Sequence, residues 1–435
     1  MINVFKEYEQ AEKILILGFG REGRSTYDYL RAIYPDKTLY IMDQKEIDGS
    51  NLEHVVIVPV SEYMMYLDQY DVVINSPGIV LGEHRKEIQV LETQVNLFLK
   101  YFSRQVIGIT GTKGKSTTSS LIYHVLKSYD DNTFLVGNIG IPCFRILDQI
   151  NESSKIVVEL SCHQLEYAKY SPHIGILLNF YEEHLDHYGT YENYKNAKRH
   201  IYMYQNEKDY LFINEEIDFD TKARVETFAF NNRNAMYSIE GRNIVCKDEV
   251  ITIGENDTKL LGNHNVYNIA ISKRVCAIMG ISDEMFMAVL PSFQPLAHRQ
   301  EFVGVYHGIH FYDDSISTAN ETAISALKSI PNVQTLLLGG MDRGIDYQPL
   351  IDYLSNNYSG NVICMYASGK RMYISMQEKS MNNIYYCSDL KQSVELAKAI
   401  TMPGKSCVLS PASASYGYFR DFEERGDYFK MYCKE

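Results

Sequence analysis

No run of about 18 uninterrupted apolar residues occurs anywhere in the 435-residue chain, which excludes a helical membrane span. The opening stretch, MINVFKEYEQAEKILILGFG, lacks the basic region, apolar run and small-residue cleavage site of a secretory leader, so a cytoplasmic protein is expected. None of the eight cysteines (Cys143, Cys162, Cys246, Cys276, Cys364, Cys387, Cys407 and Cys433) forms a CxxC pair, and most sit inside apolar runs. They read as reduced core residues rather than disulfide or zinc-ribbon partners. Low-complexity tracts and short-period repeats are missing too, which sets solenoid architectures aside. A basic excess is also absent: the formal net charge is −13. That argues against nucleic-acid wrapping and against adhesion to anionic lipid, while leaving room for a local basic pocket. What is present is an ordinary globular balance, 45% apolar and 22% charged, in a chain too long for one core.

Apolar runs bounded by Gly or Pro alternate with helical stretches from the start. Lys13 to Leu17, a helix near Ser25 to Ile33, and Thr38 to Met42 make a βαβ opening, and Val72 to Asn75 ends in the turn Ser76-Pro77-Gly78. A second strand, Gln105 to Ile109, leads through TGTKGKST into a helix whose Leu121, Ile122, Val125 and Leu126 share one face. Strands follow at Lys155 to Leu160 and Ile174 to Asn179, and short β-prone pieces between Thr227 and Gly254 predict an antiparallel addition. Beyond Arg299, strand and helix alternate again to Leu409, a further doubly wound unit. The expected architecture is α/β in three domains, a Rossmann-like domain over 1–97, a phosphate-loop ATPase domain over 98–299 and a second Rossmann-like domain over 300–435.

Two glycine motifs point to different chemistry. Gly18-Phe19-Gly20-Arg21-Glu22-Gly23 lies between strand and helix with Asp43 about 20 residues on, which matches the dinucleotide fingerprint and by itself suggests an NAD-dependent oxidoreductase. Its physical content is broader, since a helix N-terminus offers amides to any diphosphate. The second motif, Thr110 to Thr117, is a phosphate loop in which Lys115 reaches terminal phosphates and Ser116 can ligate Mg²⁺. Five residues rather than four separate Gly108 from Gly114, a departure from the strict Walker spacing. Glu159 ends the apolar run VVEL, where an unpaired carboxylate is costly to bury, so a metal-ligand role is expected.

TGTKGKST, GNIG at Gly137 to Gly140, VVELS at Val157 to Ser161 and YEEHLDHY at Tyr181 to Tyr188 together resemble the Mur ligase family. GNHNVYN at Gly262, LAHRQE at Leu296, DDS at Asp313, LLLGG at Leu336 and SPASASYGYFRDFEERG at Ser410 continue the family's order to the C-terminus. The last of these is most similar to the family's glutamate-adding members. The resemblance implies ATP-dependent joining of glutamate, D-glutamate in preference to L-glutamate, to UDP-N-acetylmuramoyl-L-alanine through an acyl phosphate. It implies ATP and Mg²⁺ as cofactors, small-molecule partners only, and a monomer. NAD is then not expected, because the first domain would hold the UDP of the substrate through Arg21, Glu22, Asp43, Gln44 and Gly78.

By the same resemblance Lys115, Lys198 and His184 are catalytic, Lys198 as a carbamate formed with CO₂, although its spacing alone reads as a solvated helix charge. Gly111, Thr112, Lys113, Gly114, Lys115, Ser116, Thr117, Asn265, Asn268, Arg299 and Asp314 would contact ATP. Ser116, Glu159, His184 and Lys198 would hold the metal, and Asn138 with His184 would face the muramoyl-alanine end. Glutamate would lie against Thr318, Arg343, Ser415 and Phe422. Two positions depart from the family pattern: Ile316 and Arg343 both stand where lysine is usual, so a bidentate guanidinium is expected to replace an ammonium. The rival readings on residues alone are addition of a different amino acid, the oxidoreductase, and a non-catalytic nucleotide-binding scaffold.

Overall fold

The computed structural model describes residues 2–247 and 249–435. The chain forms two compact units, Met1–Asp257 with Val266–Pro291, and Thr258–Asn265 with Ser292–Glu435. Among the described residues no helix is long and apolar enough to cross a membrane.

The first unit contains two sheets. One is fully parallel, with spatial order Val55–Ile57, Leu39–Met42, Ile14–Leu17, Val72–Asn75, Leu91–Glu92. Its central strand, ILIL, is apolar at every position because both faces are covered. Ile14 and Ile16 pack into one apolar cluster, Leu15 and Leu17 into another, as a period of two requires. The first cluster runs on through Phe98, Phe144 and Ile156 to Ile213, so the two sheets share one core. Thr93 caps the helix Gln94–Phe102 by accepting from the Asn96 amide, which fixes the segment joining them.

The second sheet has nine strands. Val106–Thr110 lies between Lys155–Glu159 and Ile174–Leu177, and the phosphate loop leaves its C-terminal end. The helix that follows, Lys115–Lys127, buries Leu121, Ile122, Val125 and Leu126 as expected. The antiparallel addition is smaller than its turn signals suggested. Tyr237–Glu240 pairs parallel to Arg224–Phe230, and among the described residues of this sheet the antiparallel pairs are Tyr237–Glu240 with Asn243–Cys246 and Asn243–Cys246 with Glu249–Thr252. Asn231 takes a left-handed φ of 49° and donates its amide to Ile239 O, so the chain loops back instead of closing a hairpin at Asn231-Asn232.

The second unit holds a six-stranded sheet ordered Glu301–Tyr306, Ile309–Asp313, Ser406–Leu409, Val333–Leu338, Asn361–Met365, Ile384–Cys387. All pairs are parallel except the first. Ser406–Leu409 enters between two strands that precede it in sequence. The loops after Asp313, Leu338 and Leu409 therefore gather at one end of the sheet, where open α/β sheets bind ligands.

Candidate active site

In the first unit, the phosphate loop is shaped before any ligand arrives. Asn179, which follows the strand Ile174–Leu177, accepts from the amides of Thr112 and Lys113 through Oδ1 at 3.1 and 2.9 Å. Thr112 Oγ1 meets the buried Tyr194 hydroxyl at 2.7 Å. Gly114 opens the helix at φ 89°, and a Cβ there would come within 2.9 Å of Asn268 Oδ1, so glycine is needed and Asn268 lies against the loop. Lys113, Ser116 and Thr117 complete the turn. Lys115 Nζ folds back onto Gly111 O at 2.8 Å and Thr112 O at 3.0 Å.

Lys198 is not the solvated charge its spacing suggests. It is 1% exposed, and its Nζ donates to the same Gly111 carbonyl at 2.9 Å, above the Tyr194 ring. Burial, followed by the neighbouring Lys115 charge, holds its ammonium down at about 7. Glu159, also 1% exposed, ends a strand paired in register with Ile109. One of its oxygens accepts from Asn138 Nδ2 at 2.8 Å, and the other lies 3.5 Å from Ser119 Oγ. That second oxygen keeps acceptor capacity beside the loop. An oxygen-rich set of Glu159 and the Ser116 hydroxyl suits Mg²⁺.

His184 is exposed, with φ 56°, and heads the short helix Leu185–Tyr188. Its ring lies 6.2 Å from that of Tyr194 and 4.9 Å from that of His163, centroid to centroid. His163 carries no sequence signal of its own; it is the second residue of the helix Cys162–Leu165, which Ser161 caps. Burial, with His187 and His184 nearby, pushes it down to about 4, so it is neutral near pH 7.

A pocket of about 310 Å³ opens where the order of the first sheet reverses, between Ile14–Leu17 and Val72–Asn75. Arg21, Glu22, Asp43, Gln44 and Asn138 line it, together with Tyr63, Ser76 and Gln164. Gly78, in the same turn as Ser76, does not line it, though its φ of 89° shapes the turn. Gly23 has no room for a side chain, since a Cβ would sit 2.0 Å from Gly18 O. Asp43 is occupied locally, accepting from the amides of Phe19 at 2.7 Å and Lys45 at 2.9 Å. Arg21 reaches Gly140 O at 2.5 Å and Gln164 Nε2 donates to Glu22 at 2.5 Å, contacts that tie the two sheets together. The role of Gln164 had a legible signal in Ser161-Cys162-His163-Gln164, the capping-box spacing that the helix Cys162–Leu165 uses.

Burial raises the Glu22 carboxyl to about 7, against opposing contributions from Gln164 and Arg21. The unfolded chain releases this proton near 4.5 and the folded protein near 7, so stability is lost as pH rises through that window. Glu22→Gln is therefore expected to match wild type in denaturant unfolding near pH 4.5. Above pH 7 it is expected to be more stable by about 1 to 2 kcal/mol, the shift being discounted for solvent on the pocket side. Equal stability at both pH values would contradict the assignment of that shift to Glu22.

In the second unit, Asp314 is buried and accepts from Ser317 Oγ at 2.5 Å and Ser410 Oγ at 2.7 Å; burial nevertheless raises it to about 6. Arg299 Nε is buried without a hydrogen-bond partner among the described residues, an open donor near a buried acid. Asn265 donates Nδ2 to Leu261 O at 2.7 Å. Thr318, Arg343 and Ser415 lie on loops of the second unit, and Phe422 opens the helix Phe422–Lys434. Met341 bridges Ala414, which puts the Arg343 and Ser415 loops side by side, and Phe422 O accepts from Ser315 Oγ at 2.8 Å. Arg343 is exposed and makes no ion pair among the described residues, while Asp342 beside it is held by Arg371. Arg425 was missed by the sequence reading. It is fully buried and bonds Ser315 Oγ at 2.9 Å and Ser315 O at 2.7 Å, locking the loop after Asp313.

A family model described as the Mur ligase middle domain matches residues 109–276. The UDP-N-acetylmuramoylalanine–D-glutamate ligase of Listeria innocua is 33% identical over 439 residues, covering 96% of this chain and 95% of that protein. The ligase of the same name from Aquifex aeolicus is 30% identical over 428 residues, covering 96% and 97%. Among solved structures, the MurF ligase of Thermotoga maritima in complex with ADP aligns with a TM-score of 0.62 at 16% identity, over 97% of this chain and 94% of that one. The UDP-N-acetylmuramate-alanine ligase of the same organism aligns at 0.60 and 20% identity, over 96% and 98%. At those identities the structural likeness speaks for the fold.

Proposed function

The chain belongs to the Mur ligase family, and from that membership we propose that it joins D-glutamate to UDP-N-acetylmuramoyl-L-alanine with ATP, as a cytoplasmic monomer in peptidoglycan precursor synthesis. The observation that carries the reading at the site is the burial of Lys198 against the phosphate loop, its Nζ on the carbonyl that also receives Lys115. A simple nucleotide-binding scaffold has no use for a second, desolvated lysine there. A ligase that activates a carboxylate does.

Amide formation from a carboxylate and an amine in water is uphill, so the alanine carboxylate must first acquire a leaving group. Its oxygen attacks the γ-phosphorus of ATP, and ADP departs. The amine of glutamate then attacks the acyl carbon, and the tetrahedral adduct collapses to amide and inorganic phosphate. Both substrates of the first step are anionic, so cations and oriented amides supply most of the rate. Lys115 exchanges its loop carbonyls for the γ-phosphate, and the amides of the Gly111 to Thr117 turn hold the phosphate chain. Asn265 and Asn268 are assigned to adenine, and Arg299 and Asp314 to phosphate and ribose contacts. Ser116, Glu159, His184 and carbamylated Lys198 are the residues that would hold Mg²⁺, which would offset phosphate charge during transfer. The UDP moiety is assigned to the pocket lined by Arg21, Glu22, Asp43 and Gln44, with Gly78 shaping the adjacent turn, where a Glu22 that keeps its proton to about pH 7 can donate to an anionic ligand rather than repel it. Asn138, on that pocket and bonded to Glu159, would link the acceptor to the loop.

The test is ADP release with each component omitted in turn. Turnover is expected only when ATP, the UDP-muramoyl-alanine acceptor and glutamate are all present. ATP hydrolysis unaffected by omission of acceptor or amino acid would contradict the ligase reading.

Amino-acid choice should depend on Arg343, with Thr318, Ser415 and Phe422 completing the glutamate contacts. Ile316 supplies no charge, and the unpaired guanidinium can grip one carboxylate through two parallel hydrogen bonds. Arg343→Lys is expected to weaken glutamate by about 1 to 3 kcal/mol, read as a higher KM for glutamate with the KM for ATP unchanged. An unaltered glutamate KM would remove Arg343 from the pocket.

A further inference from the structure

Beside the phosphate loop, but apart from the residues assigned to it, His163, Glu166 and His187 each bring a ligand atom within 4.8 Å of the other two. His163 lies on the helix Cys162–Leu165 and Glu166 caps its end, so the two share a face at a spacing of three. His187 comes from the helix Leu185–Tyr188, and its Nε2 is 2.8 Å from Glu166 Oε2. The rings of His163 and His187 are 4.4 Å apart, and the Tyr188 hydroxyl, 3.3 Å from His163 Nδ1, orients that imidazole.

We propose that His163, Glu166 and His187 form a binding site for a divalent transition-metal ion of the zinc class, one that ties the segment carrying His184 to the helix that follows Glu159. The inference is independent of the ligase reading, since metal binding requires no substrate. Two imidazoles and a carboxylate are the donor set of three-ligand zinc sites, whereas Mg²⁺ takes oxygen ligands. A tetrahedral ion with bonds of about 2.0 to 2.1 Å sets its ligand atoms about 3.3 Å apart, so small side-chain rotations suffice to close the group. A hydroxyl holding the remaining nitrogen of a histidine is the kind of outer partner that metal-binding imidazoles use.

No ammonium or guanidinium already fills the position: among the described residues Glu166 forms an ion pair only with His187. The contrast is His298, Glu301 and Asp313 in the second unit, where Lys430 Nζ stands 2.6 Å from Glu301 and 3.8 Å from Asp313. That cluster has its cation built in. A second grouping, Cys162, His163 and His184, overlaps the proposed site through His163. It would place a thiolate and the exposed His184 on the ion instead. The set with the carboxylate is favoured because His187 and Glu166 already touch.

The experiment strips the full-length protein with a chelator and titrates Zn²⁺ against a chromophoric zinc competitor in excess Mg²⁺. One equivalent is expected to bind. His163→Gln and His187→Gln should each weaken it by at least about 100-fold, and Glu166→Gln in the same direction, while the far-UV circular dichroism and thermal unfolding midpoint of the zinc-free protein stay at the wild-type values and so report intact folding. Cys162→Ser, which leaves all three ligands, should keep wild-type zinc affinity, and Co²⁺ in the site should show a four-coordinate visible band without thiolate charge transfer. Absence of stoichiometric zinc, wild-type affinity in the two histidine variants, or a thiolate band abolished by Cys162→Ser would each overturn the proposal.

Discussion

Lys198→Ala is expected to lose at least about 10³-fold in ligation rate while keeping its fold, the range expected when a charged group that supports phosphoryl transfer is removed. The variant leaves Gly111 O with Lys115 alone, so the loop retains one of its two ammonium contacts. What disappears is the amine that reacts with CO₂. Carbamate formation needs the neutral amine, releases a proton and turns a cation into a carboxylate-like anion. Burial and Lys115 hold the Lys198 ammonium near 7 in place of its ordinary 10.5, so a large share of the amine is neutral at physiological pH. In CO₂-depleted buffer, wild-type activity should fall as pH drops below 7, where the amine takes up its proton, and added bicarbonate should restore it most effectively above 7. A short exogenous carboxylate should partly rescue Lys198→Ala and leave Lys198→Arg unrescued, because the longer guanidinium fills the space. Full activity in Lys198→Ala, or no response to bicarbonate at any pH, would show that Lys198 acts only as a buried structural cation.

For Lys115→Ala the expected loss in kcat is about 10² to 10⁴, with the KM for glutamate little changed. Lys115 donates to the loop carbonyls Gly111 O and Thr112 O, while the loop's shape is held separately by Asn179 and Tyr194. The turn should therefore survive the substitution and still bind nucleotide. A variant with near-normal turnover would sink the phosphate-loop assignment, and circular dichroism separates a chemical loss from an unfolded chain.

Much of the fold is legible in the amino-acid sequence. The βαβ opening, the strand before TGTKGKST and the amphipathic helix after it follow from period-two and 3.6-residue apolar patterns, which reflect burial faces directly. Pairing partners are less accessible to such patterns. Tyr237–Glu240 has the same β-prone composition whether it pairs parallel or antiparallel, and the parallel choice depends on the path of the 231–236 loop. The helix Tyr366–Glu378 escaped because it begins at a residue with φ 60° and carries Ser368-Gly369 in its first turn, weak helix formers made acceptable by burial. At the site, glycine and lysine of the phosphate loop announce themselves. Burial of Lys198 and Arg425 does not, because spacing along a helix cannot say what is packed against a charge. Arg425 lies within SPASASYGYFRDFEERG with no role legible in the sequence, and its bonds to Ser315 place it under the loop that carries Asp314.

Activation of the acceptor carboxylate as an acyl phosphate is tested most directly by an oxygen-transfer measurement. The UDP-muramoyl-alanine acceptor is prepared with both alanine carboxylate oxygens as ¹⁸O and turned over with ATP and D-glutamate. Attack of the carboxylate on the γ-phosphorus leaves one of those oxygens bridging carbon and phosphorus, and attack by the amine then breaks the carbon–oxygen bond. Inorganic phosphate carrying one ¹⁸O for each amide formed is the predicted result. Unlabelled phosphate released alongside a normal yield of amide would contradict the account.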